Sequence, residues 1–270
     1  MFFRLLSIEW TRLTRRTVLW LTIAASLYYV WAAVENYYRL TSVKLLDGTE
    51  KMPGLAFDLA NGLDGLYPFL MPFVVIMAAL VFGNDYSQRT NRHWLMRASR
   101  SNSLLTKFIL LTGATALVQA LAVVTAGITG WHYKTQVFHF ALAEFLNVNW
   151  EATLAAVGYM TLVLTPYIAL TALIAVLTRS AFASVVIGLG YTQFIEIVFG
   201  SIGYGASWTR WALRNLGFSA TYLLNSIGNR VVEPPPHVFS PTSAFVVAGV
   251  YAAIFLSLAV WLYRRQDIGG

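Results

Sequence analysis

The sequence of 270 residues contains no cysteine. Disulfide bridges, thiolate catalysis and cysteine-ligated zinc or iron–sulfur sites are therefore excluded. Charged residues are also scarce: they make up 11% of the chain, against about 25% in soluble domains, whereas 57% of the residues are hydrophobic. A disordered or soluble chain does not carry so much apolar surface. The composition predicts a single integral membrane domain over 1–270, with lipid as its solvent.

Several common functional motifs are missing as well. No Gly-Lys pair occurs, so the chain has no P-loop with which to bind ATP, and we expect it not to be an enzyme. Its four histidines do not form an HExxH pair, and we expect no metal ion and no cofactor on this chain. The formal charge of +7 is better explained by orientation in a membrane than by nucleic-acid binding.

Six apolar runs are long enough to cross a hydrocarbon core of roughly 30 Å as helices. They lack the strict alternation of membrane β-strands, so helices are the solution that satisfies the backbone. We predict an all-α membrane protein with six transmembrane helices. The predicted spans are 17–34, 66–83, 104–130, 152–178, 181–206 and 242–263.

The basic residues are unevenly divided between the two sides of these spans. With a cytoplasmic N-terminus, the inside segments hold 12 of the 19 lysines and arginines. This distribution predicts that both termini are cytoplasmic in a multi-pass protein of the cell membrane, most simply the bacterial cytoplasmic membrane. A removable signal peptide at the N-terminus is the alternative reading, but the first apolar run is too long for one and five more spans follow.

Three segments outside the spans carry patterns of their own. Residues 1–16 place Phe3 and Trp10 on one helical face and Arg4 and Arg12 on the other, which predicts an interfacial helix; the alternative is a simple extension of the first span. Residues 84–103 predict a short helix on the cytoplasmic surface. Its alternative is a basic loop that only fixes orientation. Residues 207–241 form the outer loop, with a short interfacial or re-entrant helix.

Glu196 is the single acid within a predicted span, and a buried acid in lipid needs a cavity, a partner or a proton path. Small and polar residues at a spacing of four share one helical face with Glu196. We predict that this polar stripe lines a pathway or a subunit interface. A glutamate close enough to the outer surface to reach water is the alternative. Residues 201–205 look like a potassium-channel filter, although no pore helix precedes them. The predicted pathway or interface residues are Ser184, Gly188, Tyr191, Thr192, Gln193 and Glu196.

The pattern as a whole resembles the permease subunit of ABC-2 type ABC transporters. That family shows an N-terminal amphipathic helix, six spans, and a motif after the second span that reads acid, Thr, Arg and Lys. Asp85, Thr90, Arg100 and Lys107 match it, although Asp85 replaces the commoner Glu and Arg89 the usual Gly. The end of the sixth span, at residues 261–268, is similar to the family's ending too.

The resemblance implies an exporter of a hydrophobic or amphiphilic substrate, such as a lipid, a peptide antibiotic or a drug. It implies a second permease, either a copy or a homologue, and two copies of an ATPase subunit that bind ATP and Mg. Residues 90–99 would be the coupling helix, and 203–236 the outer re-entrant region. A proton-coupled carrier that uses Glu196, a membrane scaffold subunit and a channel stay open as alternatives. The implied ATPase-coupling residues are Asp85, Arg89, Thr90, Arg92, Trp94, Leu95, Arg97, Arg100, Lys107 and Arg179.

Overall fold

The computed structural model describes residues 2–46, 53–87, 100–139, 148–198, 206–219, 221–228 and 238–266. Within these ranges all regular structure is helical. Tyr133–Val137 and Tyr191–Ile195 are π-helical turns that continue α4 and α6, and Ser207–Trp211 is a 3-10 turn. The helices are α1 (Phe2–Thr14), α2 (Thr17–Leu46), α3 (Leu55–Ser87), α4 (Arg100–His132), α5 (Trp150–Thr178), α6 (Ala181–Gly190), α7 (Leu213–Phe218), α8 (Thr221–Gly228) and α9 (Pro241–Arg265).

Six helical segments are long and apolar enough to cross a membrane, which confirms the predicted all-α architecture and indicates a multi-pass membrane protein. Several of these helices are longer than the uncharged runs in the sequence, because a helix can continue past a charged side chain that has a partner within the protein. The candidate spans are Thr17–Ser42, Leu55–Asn84, Ser101–Val137, Trp150–Thr178, Ala181–Val198 and Pro241–Arg265.

The longer helices correct one prediction about charge. Glu35 lies in the first candidate span, and Asp58 and Asp64 lie in the second, so the expectation that Glu196 is the single acid within a span is wrong. The predicted second span begins at 66 because Asp64 interrupts the uncharged run. Helix α3 instead begins at Leu55, and Asp58 is buried with only 1% of its surface exposed.

Helices α3 and α5 form the centre of the bundle, and α2, α6 and α9 lie at its periphery. Helix α5 packs against α3, α4, α6 and α9, and its side chains are apolar on all sides, as expected of a helix surrounded by others. The peripheral helices keep many large apolar side chains exposed, for example Phe182 on α6 and Val246 on α9. In a membrane protein such faces are turned towards lipid.

The helices alternate in direction, so the bundle has two ends. We call the end that holds Thr17, Ser87, Arg100, Thr178 and Arg265 the basic end, since it corresponds to the predicted cytoplasmic side. The other end, with Leu46, Leu55, Trp150 and Pro241, we call the opposite end.

Helix α1 lies against α4 at the basic end, and it is not an extension of the first span. It ends at Thr14, and α2 begins at Thr17 after a turn. Leu13 is buried against the bundle, whereas Phe3 and Trp10 remain exposed. The amphipathic helix therefore has one apolar contact with its own chain and a second apolar surface available to lipid.

A close contact between two spans lies at the basic end, where α3 meets the start of α6. A Cβ atom added to Gly83 would lie 2.7 Å from the backbone nitrogen of Ala181 and 2.8 Å from its Cβ atom. Close helix approach of this kind needs a residue without a side chain.

We expect Gly83→Ala to lower stability by about 1–3 kcal/mol, because α3 and α6 must separate to admit the methyl group. Gly113→Ala is the matched control, since nothing lies within 4 Å of a Cβ atom there. It should gain up to about 1 kcal/mol from helix propensity. Thermal unfolding in detergent measures both variants, and equal melting temperatures would contradict the packing assigned to Gly83.

Candidate functional site

The end of α3 is held at the basic end by two cations from neighbouring elements. The Arg16 guanidinium donates to the carbonyl oxygen of Leu80 at 2.7 Å, and the Lys107 ammonium donates to that of Val81 at 3.3 Å. Lys107 is only 3% exposed. These two contacts fix α3 to the α1–α2 turn and to α4, about two turns before α3 ends at Ser87.

The same end of α3 is joined to the last residues of the sixth span. The Tyr86 hydroxyl donates to Oε1 of Gln266 at 3.0 Å, and Nε2 of Gln266 donates to the carbonyl oxygen of Val176 on α5 at 2.6 Å. Arg264 on α9 donates to the Ser101 hydroxyl at the start of α4, at 3.1 Å. The basic ends of α3, α4, α5 and α9 are therefore tied together by side-chain hydrogen bonds.

The contact between Gly83 and Ala181 places the short α5–α6 connection beside the end of α3. In this connection Arg179 adopts the left-handed conformation, with φ 51°, and its side chain is exposed. Ser180 then caps α6 by accepting a hydrogen bond from the Ala183 backbone at 3.3 Å. The exposed arginine and the start of the 84–103 segment thus lie on one surface of the bundle.

The remaining predicted coupling residues divide into two groups. Asp85 lies in the last turn of α3, and Arg100 is the first residue of α4. Their contribution to coupling stays a prediction. Arg89, Thr90, Arg92, Trp94, Leu95 and Arg97 lie outside the described residues.

The polar stripe of the fifth span faces its own chain. Ser184, Gly188, Thr192 and Glu196 are all buried. A Cβ atom on Gly188 would meet Val75 on α3 at 2.6 Å, and the Ser184 hydroxyl lies 3.2 Å from that of Thr178 on α5. Tyr191 and Gln193 are half-buried beside this stripe. A role in a pathway or a subunit interface stays a prediction, but the stripe is turned towards α3 and α5.

The π turn at Tyr191–Ile195 explains how these four residues stay on one face. In a regular α-helix, residues 184 and 196 would point about 120° apart, since each residue adds about 100°. A π turn takes up one extra residue and reduces this angle to about 20°. The sequence spacing of four therefore gives a straight stripe only because the helix widens before Glu196.

Glu196 connects the fifth span to the outer segment. Its Oε2 atom accepts a hydrogen bond from the Tyr167 hydroxyl at 2.6 Å, and its Oε1 atom accepts one from the Arg214 backbone at 3.3 Å. Because Arg214 lies in the first turn of α7, the carboxyl group satisfies a backbone donor that the helix leaves free. Glu196 is 3% exposed, so it does not reach water in this arrangement.

The outer segment enters the bundle in this structure. The Tyr159 hydroxyl donates to the carbonyl oxygen of Leu216 at 3.0 Å, and the Tyr251 hydroxyl donates to that of Trp211 at 3.1 Å. Gly217 lies directly against the ring of Tyr67, well inside α3. Residues 213–218 therefore pack against α3 and α5, and the choice between a re-entrant and an interfacial position in the membrane stays a prediction. The filter-like residues 201–205 lie outside the described residues.

A buried ion pair at the opposite end was not predicted. The Lys134 ammonium on the first π turn contacts Oδ2 of Asp58 on α3, and the Tyr38 hydroxyl donates to Oδ1 at 2.8 Å. Gly130 leaves room for the carboxyl group of Asp58, which a Cβ atom would occupy. Asp58 and Lys134 lie outside the predicted spans 66–83 and 104–130. Their position beside apolar runs and among aromatic residues is the signal that could have identified them.

The interior also contains polar atoms without a hydrogen-bond partner among the described residues. Both amide atoms of Gln119 are in this position, at the point where α4 faces Leu66 and Met160. The chain does not use this glutamine to tie helices together here. Across the described ranges no cluster of histidine and carboxylate side chains is suited to hold a metal ion.

The comparison with protein families gives one match. The model described as "Protein of unknown function (DUF2705)" matches residues 21–269, which covers all of α3 to α9 and most of α2. The chain belongs to this family. No curated protein matches it. In this DUF2705 member, the matched region contains the anchored end of α3, the Glu196 contacts and the Asp58–Lys134 pair.

We expect either Asp58→Asn or Lys134→Met alone to cost about 3–5 kcal/mol, because each leaves a buried charge without its partner. The double variant should recover much of this loss. Arg39→Gln is the comparison, since the Arg39 side chain is 70% exposed although that of its partner Glu35 is only 10% exposed, and this pair should contribute less than the fully buried one. Denaturant unfolding of the purified protein measures the coupling. Additive losses in the double variant would contradict a direct pair.

We expect Glu196→Leu to loosen the outer segment, because the Arg214 amide and the Tyr167 hydroxyl both lose their acceptor, at about 1–3 kcal/mol for each donor. Hydrogen exchange of the amides in 213–218 should become faster, whereas Glu196→Gln, which keeps an acceptor oxygen, should change it less. Glu151→Leu, at an exposed position in the first turn of α5, is the control. Unaltered exchange in Glu196→Leu would show that this carboxyl does not hold α7.

Proposed function

We propose that this protein is the transmembrane subunit of an ATP-driven ABC transporter of the ABC-2 type, located in the bacterial cytoplasmic membrane with both termini cytoplasmic. A separate ATPase subunit, present in two copies, would bind ATP and Mg. A second permease, a copy or a homologue, would complete the transporter. The direction we propose is export.

The observation that carries the proposal is the way in which the end of α3 is anchored. Within its last two turns α3 contacts Arg16, Lys107 and Ala181, and through Gln266 it is linked to α5. A force applied to the segment that follows α3 would therefore reach all six spans at once. An energy-coupling contact needs this property, whereas a loop that only sets orientation does not.

Arg179 supports the same conclusion. It lies on the α5–α6 connection that Gly83 holds beside the end of α3, and it is exposed. Two predicted ATPase contacts, distant in sequence, would thus form one basic surface. An acidic groove on the ATPase would complement this surface, and closure of the two ATPase subunits would push on α3.

A lateral groove supports an apolar or amphiphilic substrate. It has a volume of about 380 Å³ and lies between α3 and α4, with the start of α5 at its rim. Val124, Ile128, Trp131 and Trp150 contribute exposed apolar surface to it. A chain of lipid type could enter such a groove from the bilayer without leaving hydrocarbon, whereas a sugar would lose its hydration.

The proton-coupled carrier is the second candidate, and burial of Glu196 beside Tyr167 is the observation that favours it. A proton carrier must expose its carboxyl group alternately to the two sides. Glu196 also accepts a hydrogen bond from α7, so release of its proton would have to be linked to movement of the outer segment.

We expect Arg92→Glu with Arg97→Glu to abolish ATP-dependent transport and binding of the ATPase, while the permease still inserts, because the basic contact surface is reversed in charge. Arg4→Glu is the control, since this exposed arginine lies in the first turn of α1. Copurification from native membranes and ATP hydrolysis in the eluate are the measurements. Retained ATPase binding in the double variant would argue against the proposal.

The carrier makes a different set of predictions. Transport by the isolated chain, driven by a pH gradient without nucleotide and lost in Glu196→Gln, would replace the ABC proposal with the carrier.

A further inference from the structure

The lateral groove between α3 and α4 lies in the half of the bundle nearest the opposite end. Its floor is formed by buried side chains, among them Leu59 on α3 and Val123 on α4. Its rim is formed by exposed apolar side chains, namely Val124 and Ile128 on α4 and Trp150 at the start of α5. A buried floor below an exposed rim makes this part of the surface concave.

Gly127 contributes to the depth of the groove, because it brings no side chain to the lining. A Cβ atom there would meet Leu59 at 3.4 Å, which is an ordinary van der Waals contact. The packing of α3 against α4 would therefore admit a small side chain at this position. A glycine also weakens a helix relative to other residues. Its effect here is to keep space open towards the side on which lipid lies.

The dimensions of the groove fit one hydrocarbon chain. Its wall extends from Val123 to Thr135, which is about 18 Å at about 1.5 Å per residue. One leaflet contributes about half of a hydrocarbon core of roughly 30 Å, so the two lengths are similar. The volume of about 380 Å³ over this length corresponds to a width of about 5 Å.

This width separates the possible occupants. Carbon atoms in contact lie about 3.5–4.0 Å apart, so a single straight hydrocarbon chain has nearly the width of the groove. A helix is about 10–12 Å across with its side chains, so a helix of a second copy is too wide to lie within it. The groove therefore fits an acyl chain and not a helix.

The chemistry of the lining agrees with an acyl chain, because only apolar atoms are exposed on the inner surface of the groove. Lys134 borders it, but this side chain is buried and its ammonium group contacts Asp58. A lipid headgroup would find no charged partner inside. Trp131 and Trp150 are exposed at the end nearest the helix termini, and indole rings prefer the boundary between hydrocarbon and headgroups.

We propose that this groove holds one straight acyl chain of a phospholipid from the leaflet at the opposite end of the bundle. The glycerol and the headgroup lie at the level of Trp131 and Trp150. The groove recognises the width of the chain and not the charge of the headgroup. A lipid tail beside a convex helix face touches the protein on one side only, whereas a chain in the groove makes dispersion contacts with the floor and with both walls.

The inference goes beyond the proposed transport function, because it concerns the chain without an ATPase or nucleotide. In the proposed transporter, an apolar substrate that uses the same groove would first have to displace this lipid. The two proposals are tested separately: loss of ATPase binding leaves the groove intact, and an unoccupied groove leaves the contact between permease and ATPase intact.

The test uses the purified full-length chain in lipid nanodiscs made of diphytanoyl-phosphatidylcholine, whose methyl-branched chains are wider than straight ones. The probe is a straight-chain phosphatidylcholine with a photoactivatable diazirine in the middle of one acyl chain. Illumination and peptide mass spectrometry then locate the labelled residues. We expect labelling of 123–131 to saturate at a low fraction of probe. Labelling of the exposed face of α9 at Val246 and Val250 should instead rise in proportion to the probe.

Unlabelled straight-chain lipids form the competition arm. Phosphatidylcholine and phosphatidylglycerol with the same acyl chains should reduce the labelling of 123–131 equally. Labelling of the groove that rises in proportion to the probe, as on α9, would overturn the site. Competition by only one of the two headgroups would overturn recognition through the acyl chain.

Two variants fill the groove from different sides. Gly127→Leu places an apolar side chain in its middle and should remove the saturable labelling without lowering the melting temperature, because leucine favours a helix. Gly113→Leu is the matched control on the same helix, at an exposed position where nothing lies within 4 Å of a Cβ atom. Val124→Trp narrows the groove from its exposed rim, and Leu117→Trp is its control at an exposed position of α4 outside the lining.

Saturable labelling that persists in both groove variants would overturn the proposal, and so would an equal loss in the two controls. Because Val124 is exposed, its substitution does not disturb the packing of α3 against α4, and this variant decides the result if Gly127→Leu unfolds the chain.

Discussion

Every polar group that this chain carries into hydrocarbon must find its partner within the protein, and this constraint determines how the helices are joined. Water cannot satisfy these groups in the membrane interior, so a charge there is stable only beside an opposite charge, a hydroxyl or a backbone group. Asp58 therefore links α3 to α4 through Lys134, and Glu196 links α5, α6 and α7. At the basic end, Arg16 and Lys107 use the carbonyl groups of α3 in the same way. These contacts fix the relative positions of the helices that they join.

Helix α3 connects these polar contacts. Its first turn carries Asp58, its middle lies against Gly217 of the outer segment, and its last turns carry the carbonyl groups that accept from Arg16 and Lys107. One continuous helix thus joins the ion pair at the opposite end to the basic end of the bundle. A displacement at one end of α3 changes contacts at the other, and this is the mechanical basis of the proposed coupling.

Each of the two π turns lies beside or at a charged side chain that is buried in the interior. Lys134 lies within the first, and Glu196 directly follows the second. The backbone hydrogen bonds of a π turn are less favourable than those of an α-helix. Such a turn persists where the surrounding structure requires the side chains after it to point in a changed direction. For Glu196 the requirement is visible, because the wider turn keeps the carboxyl on the face that meets Tyr167 and α7. Both turns lie towards the opposite end of the bundle, where the outer segment enters. The basic end, in contrast, consists of regular helix termini joined by side-chain hydrogen bonds.

The sequence by itself determined the class of protein and the number of spans, whereas the structure decided that the amphipathic helix α1 is separate from the first span. Hydrocarbon thickness and helix rise fix these features, and both can be read from runs of apolar residues. The sequence also identified Glu196 and its stripe, because an acid among apolar residues is visible without a structure. Only the tertiary structure decided which charges are buried. Asp58 and Lys134 lie 76 positions apart in the chain. From the sequence alone, each of these residues resembles a loop residue. In the folded protein the two form a pair, and both helices continue past positions at which an unpaired charge would have ended them.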